Sequence, residues 1–154
     1  MSDGKYRSGK YHPRYPDKYL GDINNITYRS SWEFRAFSFL DGNKNVLTWG
    51  SEIIPIPYQK PVIMGNGVSL RPARYFPDLY VEYLHVSGAI IKELIEIKPL
   101  KQTKKSRSRK TSVKLQEDFT FVVNKCKWEA AKAWCDHHGI GFRLATENEI
   151  FKMR

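Results

Sequence analysis

Apolar and polar positions alternate most regularly between Arg74 and Lys98. Two apolar runs, Tyr75 to Leu84 and Ala89 to Ile97, flank Val86-Ser87-Gly88. That pattern predicts a β-hairpin closed by a three-residue loop with glycine at its left-handed position. With Ser87 at the loop centre, Asp78 falls directly opposite Glu96. Side chains in a strand point alternately to opposite faces. Leu79, Val81, Tyr83, Ile91, Ile95 and Ile97 therefore share a core face, and Asp78, Tyr80, Glu82, Lys92, Glu96 and Lys98 share the other. Glu82 opposite Lys92 is an ordinary cross-strand ion pair. A loop differing by one residue would move Asp78 away from Glu96.

Elsewhere the pattern is helical or irregular. Ser30 to Leu40 reads as a helix, with Ser30 and Glu33 as a capping box, Trp32, Ala36, Phe37, Phe39 and Leu40 as its buried stripe, and Asp41-Gly42 as its end. Capping alone explains Glu33, yet a carboxylate in that first turn can also reach a site on the adjacent sheet. Val46 to Tyr58 reads as extended structure broken at Trp49-Gly50-Ser51-Glu52, with Pro55 and Pro57 favouring an edge. Glu52 is a surface acid or a supporting group. Gln59 to Ala73 reads as a loop with a turn at Gly65-Asn66-Gly67. A helix is expected from Lys125 or Lys127 to His138, stopped by Gly139. A short strand from Ile140 to Leu144 follows, then a short helix capped by Thr146 and Glu149 and running through Arg154. The implied fold class is α/β, a mixed sheet flanked by helices.

The facing acids carry the chemistry. Like charges directly opposite in a hairpin are destabilising, so a positive group is expected between Asp78 and Glu96. A divalent cation, Mg²⁺ or Mn²⁺, suits two carboxylates. Such an ion polarises a phosphoryl oxygen and makes its bound water nucleophilic near neutral pH. Lys98 projects from the same face, where it can hold that water or stabilise transition-state charge. The bland alternative is a solvated charged face. Asp3-Gly4-Lys5 and Pro16-Asp17 repeat parts of the pattern in a polar arm without strand periodicity.

Composition adds a partner. The chain has 154 residues, a formal net charge of +10, 41% hydrophobic and 14% aromatic content. It has the length for one globular domain, and its charge calls for a polyanion, nucleic acid ahead of an anionic membrane. No apolar run approaches a transmembrane span and no signal peptide opens the chain. Cys126 and Cys135 point to nearly opposite faces of one helix, so no disulfide is expected and an intracellular setting fits. His137 and His138 lack zinc-ligand spacing with them. Residues 1–22 form an arm that alternates cations with rings: Lys5, Tyr6, Arg7, Lys10, Tyr11, His12, Arg14, Tyr15, Lys18 and Tyr19. It suits a strand lying along nucleic acid, or one packed on its own domain or a neighbouring subunit. Residues 23–154 form the domain proper. Within it a basic segment at 101–112 carries Lys101, Lys104, Lys105, Arg107, Arg109 and Lys110, with no acid between Glu96 and Glu117. It reads as a mobile segment, either a solvated linker or a localisation-like patch or, from its place beside Lys98, a clamp on DNA phosphates.

Pro77-Asp78 and Glu96-Ile97-Lys98, with an acid on a preceding helix, resemble the PD-(D/E)xK nuclease superfamily. Tyr28 to Glu33, Trp49 to Glu52, Ile56-Pro57-Tyr58, Arg74-Tyr75-Phe76, Glu96 to Pro99, Gly139-Ile140, Phe142-Arg143 and Thr146-Glu147 narrow the similarity. From Tyr19 to the C-terminus they resemble head-completion nucleases of contractile-tailed bacteriophages, relatives of the transposon-end endonucleases. The resemblance implies a restriction-endonuclease-like core. Asp78, Glu96, Glu33 and the Ile97 carbonyl would be metal ligands, and Lys98 would assist the water. It further implies a Mg²⁺-dependent DNA endonuclease that trims packaged DNA ends before neck or tail attachment. Its setting would be the host cytoplasm during assembly, or the virion head or neck. Double-stranded DNA would be the substrate, held by Arg74 and the 101–110 cations. Portal or neck proteins are further partners, and a homo-oligomer stays open. The competing expectation is a non-catalytic head-completion or neck protein that binds DNA or the portal.

Overall fold

The computed structural model describes residues 8–153. Lys5, Tyr6 and Arg7 of the arm, and Arg154, to which the last helix is expected to run, lie outside them. Its centre is a four-stranded mixed sheet of β3 (Val46–Ser51), β6 (Leu79–Leu84), β7 (Ile90–Ile97) and β8 (Gly141–Ala145), in the order β3-β6-β7-β8. The first three strands are antiparallel, and β8 joins β7 in parallel.

The β6–β7 hairpin has the expected register, with Leu79 opposite Ile95 and Leu84 opposite Ile90. Its loop closes through Gly88 N–H to the His85 carbonyl at 2.9 Å, with Gly88 at φ 89°. That left-handed backbone is one glycine adopts without a Cβ penalty. Lys92 reaches Glu82 at 3.9 Å, as the pairing requires.

Both faces of the sheet are covered. Helix α1 (Ser31–Gly42) packs Ala36, Phe37 and Leu40 against Leu79, Val81, Ile95 and Trp49, joined by Ile150 of the short helix α3 (Glu147–Ile150). On the opposite face, α2 (Thr111–His138) sets Ala131 and Cys135 against Leu94, Tyr80, Ile56 and Tyr75. The face assigned to Asp78 and Glu96 is therefore not a solvated one. Leu94, on that face and buried, is what the second helix covers. Tyr80 belongs to this second core layer, not to a polar surface.

Four elements differ from their expected extent; one is the last helix, which stops at Ile150 short of the expected run through Arg154. Gln59 to Ala73 is not a loop: β4 (Ile56–Met64) and β5 (Gly67–Tyr75) form a two-stranded ribbon around the Gly65-Asn66 turn. Its outer half is exposed on both faces, so no burial pattern marks it as a strand. Helix α2 begins at Thr111, well before Lys125, because its first turns are exposed and need no apolar stripe. The run between Lys98 and α2 is not an unattached linker. It forms a 3-10 turn at Leu100–Thr103, Leu100 N–H donates to Glu147 at 2.7 Å, and the Ser106 hydroxyl donates to Glu117 at 3.1 Å. All six of its cations remain exposed.

Residues 8–22 pack on the domain. β1 (Gly9–Lys10) pairs with β2 (Thr27–Tyr28), and Tyr11 and Tyr19 are core residues, each edge-on to Trp49. Asp41, expected only to end α1, is 2% exposed and fastens this segment. It accepts from the Tyr11 hydroxyl at 2.9 Å and from the backbone N–H groups of Arg14 at 2.6 Å and Tyr15 at 3.1 Å. Lys18 Nζ donates to the carbonyls of Leu40, Asp41 and Asn43, capping the C-terminal end of α1. Cys126 and Cys135 are unpaired; burial pushes the Cys135 thiol up to about 11.

Candidate active site

The open end of the β6–β7 hairpin gathers the charged residues. Pro77 is fully buried and delivers Asp78 to the start of β6. The Asp78 carboxylate accepts from the Ile97 N–H at 2.7 Å, and its own N–H donates to the Glu96 carboxylate at 3.3 Å. The two acids are thus clasped across the strand pair, each held by the other's neighbouring backbone. Glu96 is 7% exposed. Burial first, and the Glu96 charge second, push Asp78 well above the usual carboxylate range, against the Ile97 hydrogen bond. Lys98 Nζ lies 3.6 Å from the other Glu96 oxygen, at the half-buried mouth of the site. Two hard oxygen donors held across one strand pair, each feeling the other's charge, with one ammonium at the side, fit a divalent cation of the Mg²⁺ type.

Glu33 sits in the first turn of α1, whose N-cap is Ser30. The Ser30 hydroxyl accepts from the Glu33 N–H at 3.1 Å. Glu33 reaches back to the Arg29 N–H at 2.9 Å, one residue earlier than a capping box requires. Burial raises its pKa, opposed by the Arg29 hydrogen bond and charge. Its charge is felt at Asp78. Among the described residues, no three His, Cys, Asp or Glu side chains come close enough to hold a metal between them.

Glu52 follows β3 with its backbone at φ 52°, a left-handed conformation unusual outside glycine. That turn aims its N–H at the Asp78 carbonyl, 3.1 Å away, and its carboxylate forms an ion pair with Arg29. Arg29 therefore links Glu52 to the Glu33 cap, behind Asp78.

Two further residues enter from outside the β6–β7 hairpin, one of them Tyr75, which the apolar run to Leu84 had placed in the hairpin but which ends β5 instead. Tyr75, at the end of β5, is 5% exposed, and its hydroxyl has no hydrogen-bond partner among the described residues. Burial and the Glu96 charge raise its pKa. Lys127 Nζ, from α2, stands over the Tyr75 ring at 5.6 Å. Burial lowers its pKa, Glu96 opposes that shift, and Lys98 and Lys60 add to it. The signal was present in the sequence: Lys127, Ala131 and Cys135 are spaced by four and share a helix face, so a lysine occupies the buried stripe. Of the expected DNA-contacting residues, Arg74 is exposed at the base of β5, and Lys101 follows the site after Pro99. The basic segment continues away from it along α2, where Lys101 and Lys104 border a cleft with Glu117 and Asn124.

Comparison with known proteins identifies the family. A family model described as TnsA-like endonuclease N terminal matches residues 43–147, a span holding Asp78, Glu96, Lys98 and Lys127. The chain is 39% identical over 149 residues to the head completion nuclease of Enterobacteria phage T4, and the match covers 93% of each chain.

Proposed function

We propose, for a chain that belongs to the head completion nucleases and carries a TnsA-like endonuclease N-terminal domain, that Asp78, Glu96 and Lys98 form the active site of a divalent-metal-dependent DNA endonuclease. The protein is a DNA endonuclease of phage head completion. The observation that carries the residue assignment is the clasp of Asp78 and Glu96 with Lys98 Nζ at 3.6 Å.

Asp78 and Glu96 would hold the ion, Mg²⁺ or Mn²⁺, with the Ile97 carbonyl as a further ligand; Glu33, expected as a third ligand, does not converge with them and would act only through its charge at Asp78. When bound, the ion would supply Lewis acidity at the phosphoryl oxygen and a nucleophilic water. Lys98 would position the attacking water and offset charge building on phosphorus. Lys127 adds a second ammonium on the opposite wall. Arg29 keeps Glu52 and Glu33 from adding uncompensated negative charge behind Asp78. Arg74, Lys101, Lys104, Lys105, Arg107, Arg109 and Lys110 hold the duplex by its phosphates, which makes affinity fall steeply with salt. The activity suits the trimming of protruding DNA ends at the portal or neck before tail attachment, in the infected cell or within the assembled particle.

The test is cleavage of linear, circular and branched DNA with Mg²⁺, with Mn²⁺ and with EDTA. Lys98→Ala is expected to slow the metal-dependent rate by roughly 10²–10³-fold, with DNA affinity in EDTA retained. Wild-type rates in Lys98→Ala would remove the lysine's assigned role. No cleavage of any substrate by the wild-type chain would favour a structural head-completion protein.

A further inference from the structure

The β4–β5 ribbon beyond Arg74 and Tyr75 has no part in the chemistry above. Among the described residues its strands pair only with each other, through a register from Ile56 opposite Tyr75 to Met64 opposite Gly67. Ile56, Tyr58 and Tyr75 anchor its base in the core beneath α2. Every residue from Ile63 to Pro72 is exposed. A two-stranded ribbon standing in water with large apolar side chains outward is not stable on its own account.

Its two faces differ. Ile63 pairs with Val68, and Leu70 pairs with Pro61, so the three exposed aliphatic residues share one face. On the other face Lys60 is directly opposite Arg71. Like charges so placed repel, and no carboxylate relieves them. Among the described residues neither cation is in an ion pair, and the sequence holds no acid from Ile53 to Pro77. The arrangement inverts the Asp78–Glu96 pair: here the missing counter-charge is an anion. Pro61 and Pro72 remove backbone donors from the two strands, which disfavours a partner protein adding a strand there. A β-ribbon fits the major groove of DNA, and apolar side chains can wedge between base steps from the minor groove.

We propose that the β4–β5 ribbon is an arm that enters a groove of duplex DNA beside the cleavage position, with Lys60 and Arg71 on phosphates and Ile63, Val68 and Leu70 against the groove wall. The proposal rests on the reading of the chain as a DNA endonuclease. Tyr75, at the ribbon's base, ties it to the site through the Lys127 side chain over its ring. From Tyr58 to the turn the ribbon extends about 23 Å at ~3.3 Å per residue. That matches roughly seven base pairs at ~3.4 Å each.

The experiment measures binding of the full chain to fluorescent duplexes of graded length, in EDTA, at several salt concentrations. Wild-type affinity is expected to rise as duplex is added on the ribbon side, then level off after about seven base pairs. Lys60→Gln/Arg71→Gln should weaken binding by about 10–100-fold and lower the salt slope by about 2. Ile63→Ser/Leu70→Ser should weaken binding at an unchanged salt slope. All four positions are exposed, and circular dichroism checks that each variant is folded. Unchanged affinity, slope and length dependence would overturn the proposal. So would a variant that keeps DNA affinity and loses self-association in sedimentation, because the ribbon would then be a protein interface. Binding in EDTA does not need catalysis. A wild-type chain that fails to cut but shows ribbon-dependent binding would sink the nuclease reading and leave only the ribbon's contact with DNA, without its place beside a cleavage position.

Discussion

Asp78→Asn is expected to abolish cleavage and, at the same time, to make the metal-free protein more stable. The asparagine oxygen still accepts from the Ile97 N–H, which Asp78 receives at 2.7 Å. What disappears is a buried negative charge held against Glu96, the cause of the upward-shifted Asp78 pKa. Relief of a facing like-charge pair is worth about 1 kcal/mol. For a chain of this size that raises the melting temperature by about 2–4 °C. The cost falls on function: with one oxygen ligand gone, the rate should drop by about 10³-fold or more. Thermal unfolding in EDTA and cleavage in Mg²⁺ read the two effects separately. A destabilised Asp78→Asn, or one that cuts normally, would mean that the pair is a structural clasp and not a metal site held ready at an energetic cost.

The largest loss of stability is expected from Asp41→Ala. Asp41 accepts hydrogen bonds from the Tyr11 hydroxyl and from two backbone N–H groups, of Arg14 and Tyr15. A hydrogen bond to a charged acceptor contributes about 1.5–3 kcal/mol, and a buried donor left unpaired adds a similar penalty. Because the freed segment can partly turn to water, the net loss should be about 3 kcal/mol. Tyr11→Phe keeps the ring against Phe34, Phe37 and Trp49 and removes one bond, so about 1 kcal/mol is expected. In the Asp41 variant, limited proteolysis should cut first between Lys10 and Lys18. Equal stability of Asp41→Ala and wild type would show that the segment is held by its aromatic residues alone.

The catalytic hairpin was legible because its physics is local. A loop centred on Ser87 with glycine at the next position sets the register, and period-two alternation then places Asp78 against Glu96. The N-cap at Ser30 and the capping box at Thr146 were legible for the same reason; the latter is fully formed, with Thr146 N–H donating to Glu149 at 2.6 Å. Contacts between segments distant in the chain left weaker traces. Asp41 looked like a helix stop, since nothing near it says that Tyr11 will reach its carboxylate. Glu33 looked like an ordinary capping glutamate, and its bond to the Arg29 N–H depends on how the preceding chain enters the helix. The ribbon was hidden because burial writes alternation into a strand, and most of β4–β5 is not buried. Lys127 could have been noticed as the charged member of an otherwise apolar stripe, but only the packing of α2 over Tyr75 gives it a place.

The most direct measurement is calorimetric titration of Mn²⁺ into the metal-free chain, beside Asp78→Asn, Glu96→Gln and Lys98→Ala. Wild type and Lys98→Ala should show saturable binding, and both acid variants should show none at the same concentrations. Undiminished binding in Asp78→Asn and Glu96→Gln would contradict the assignment of the facing carboxylates as the cation's ligands.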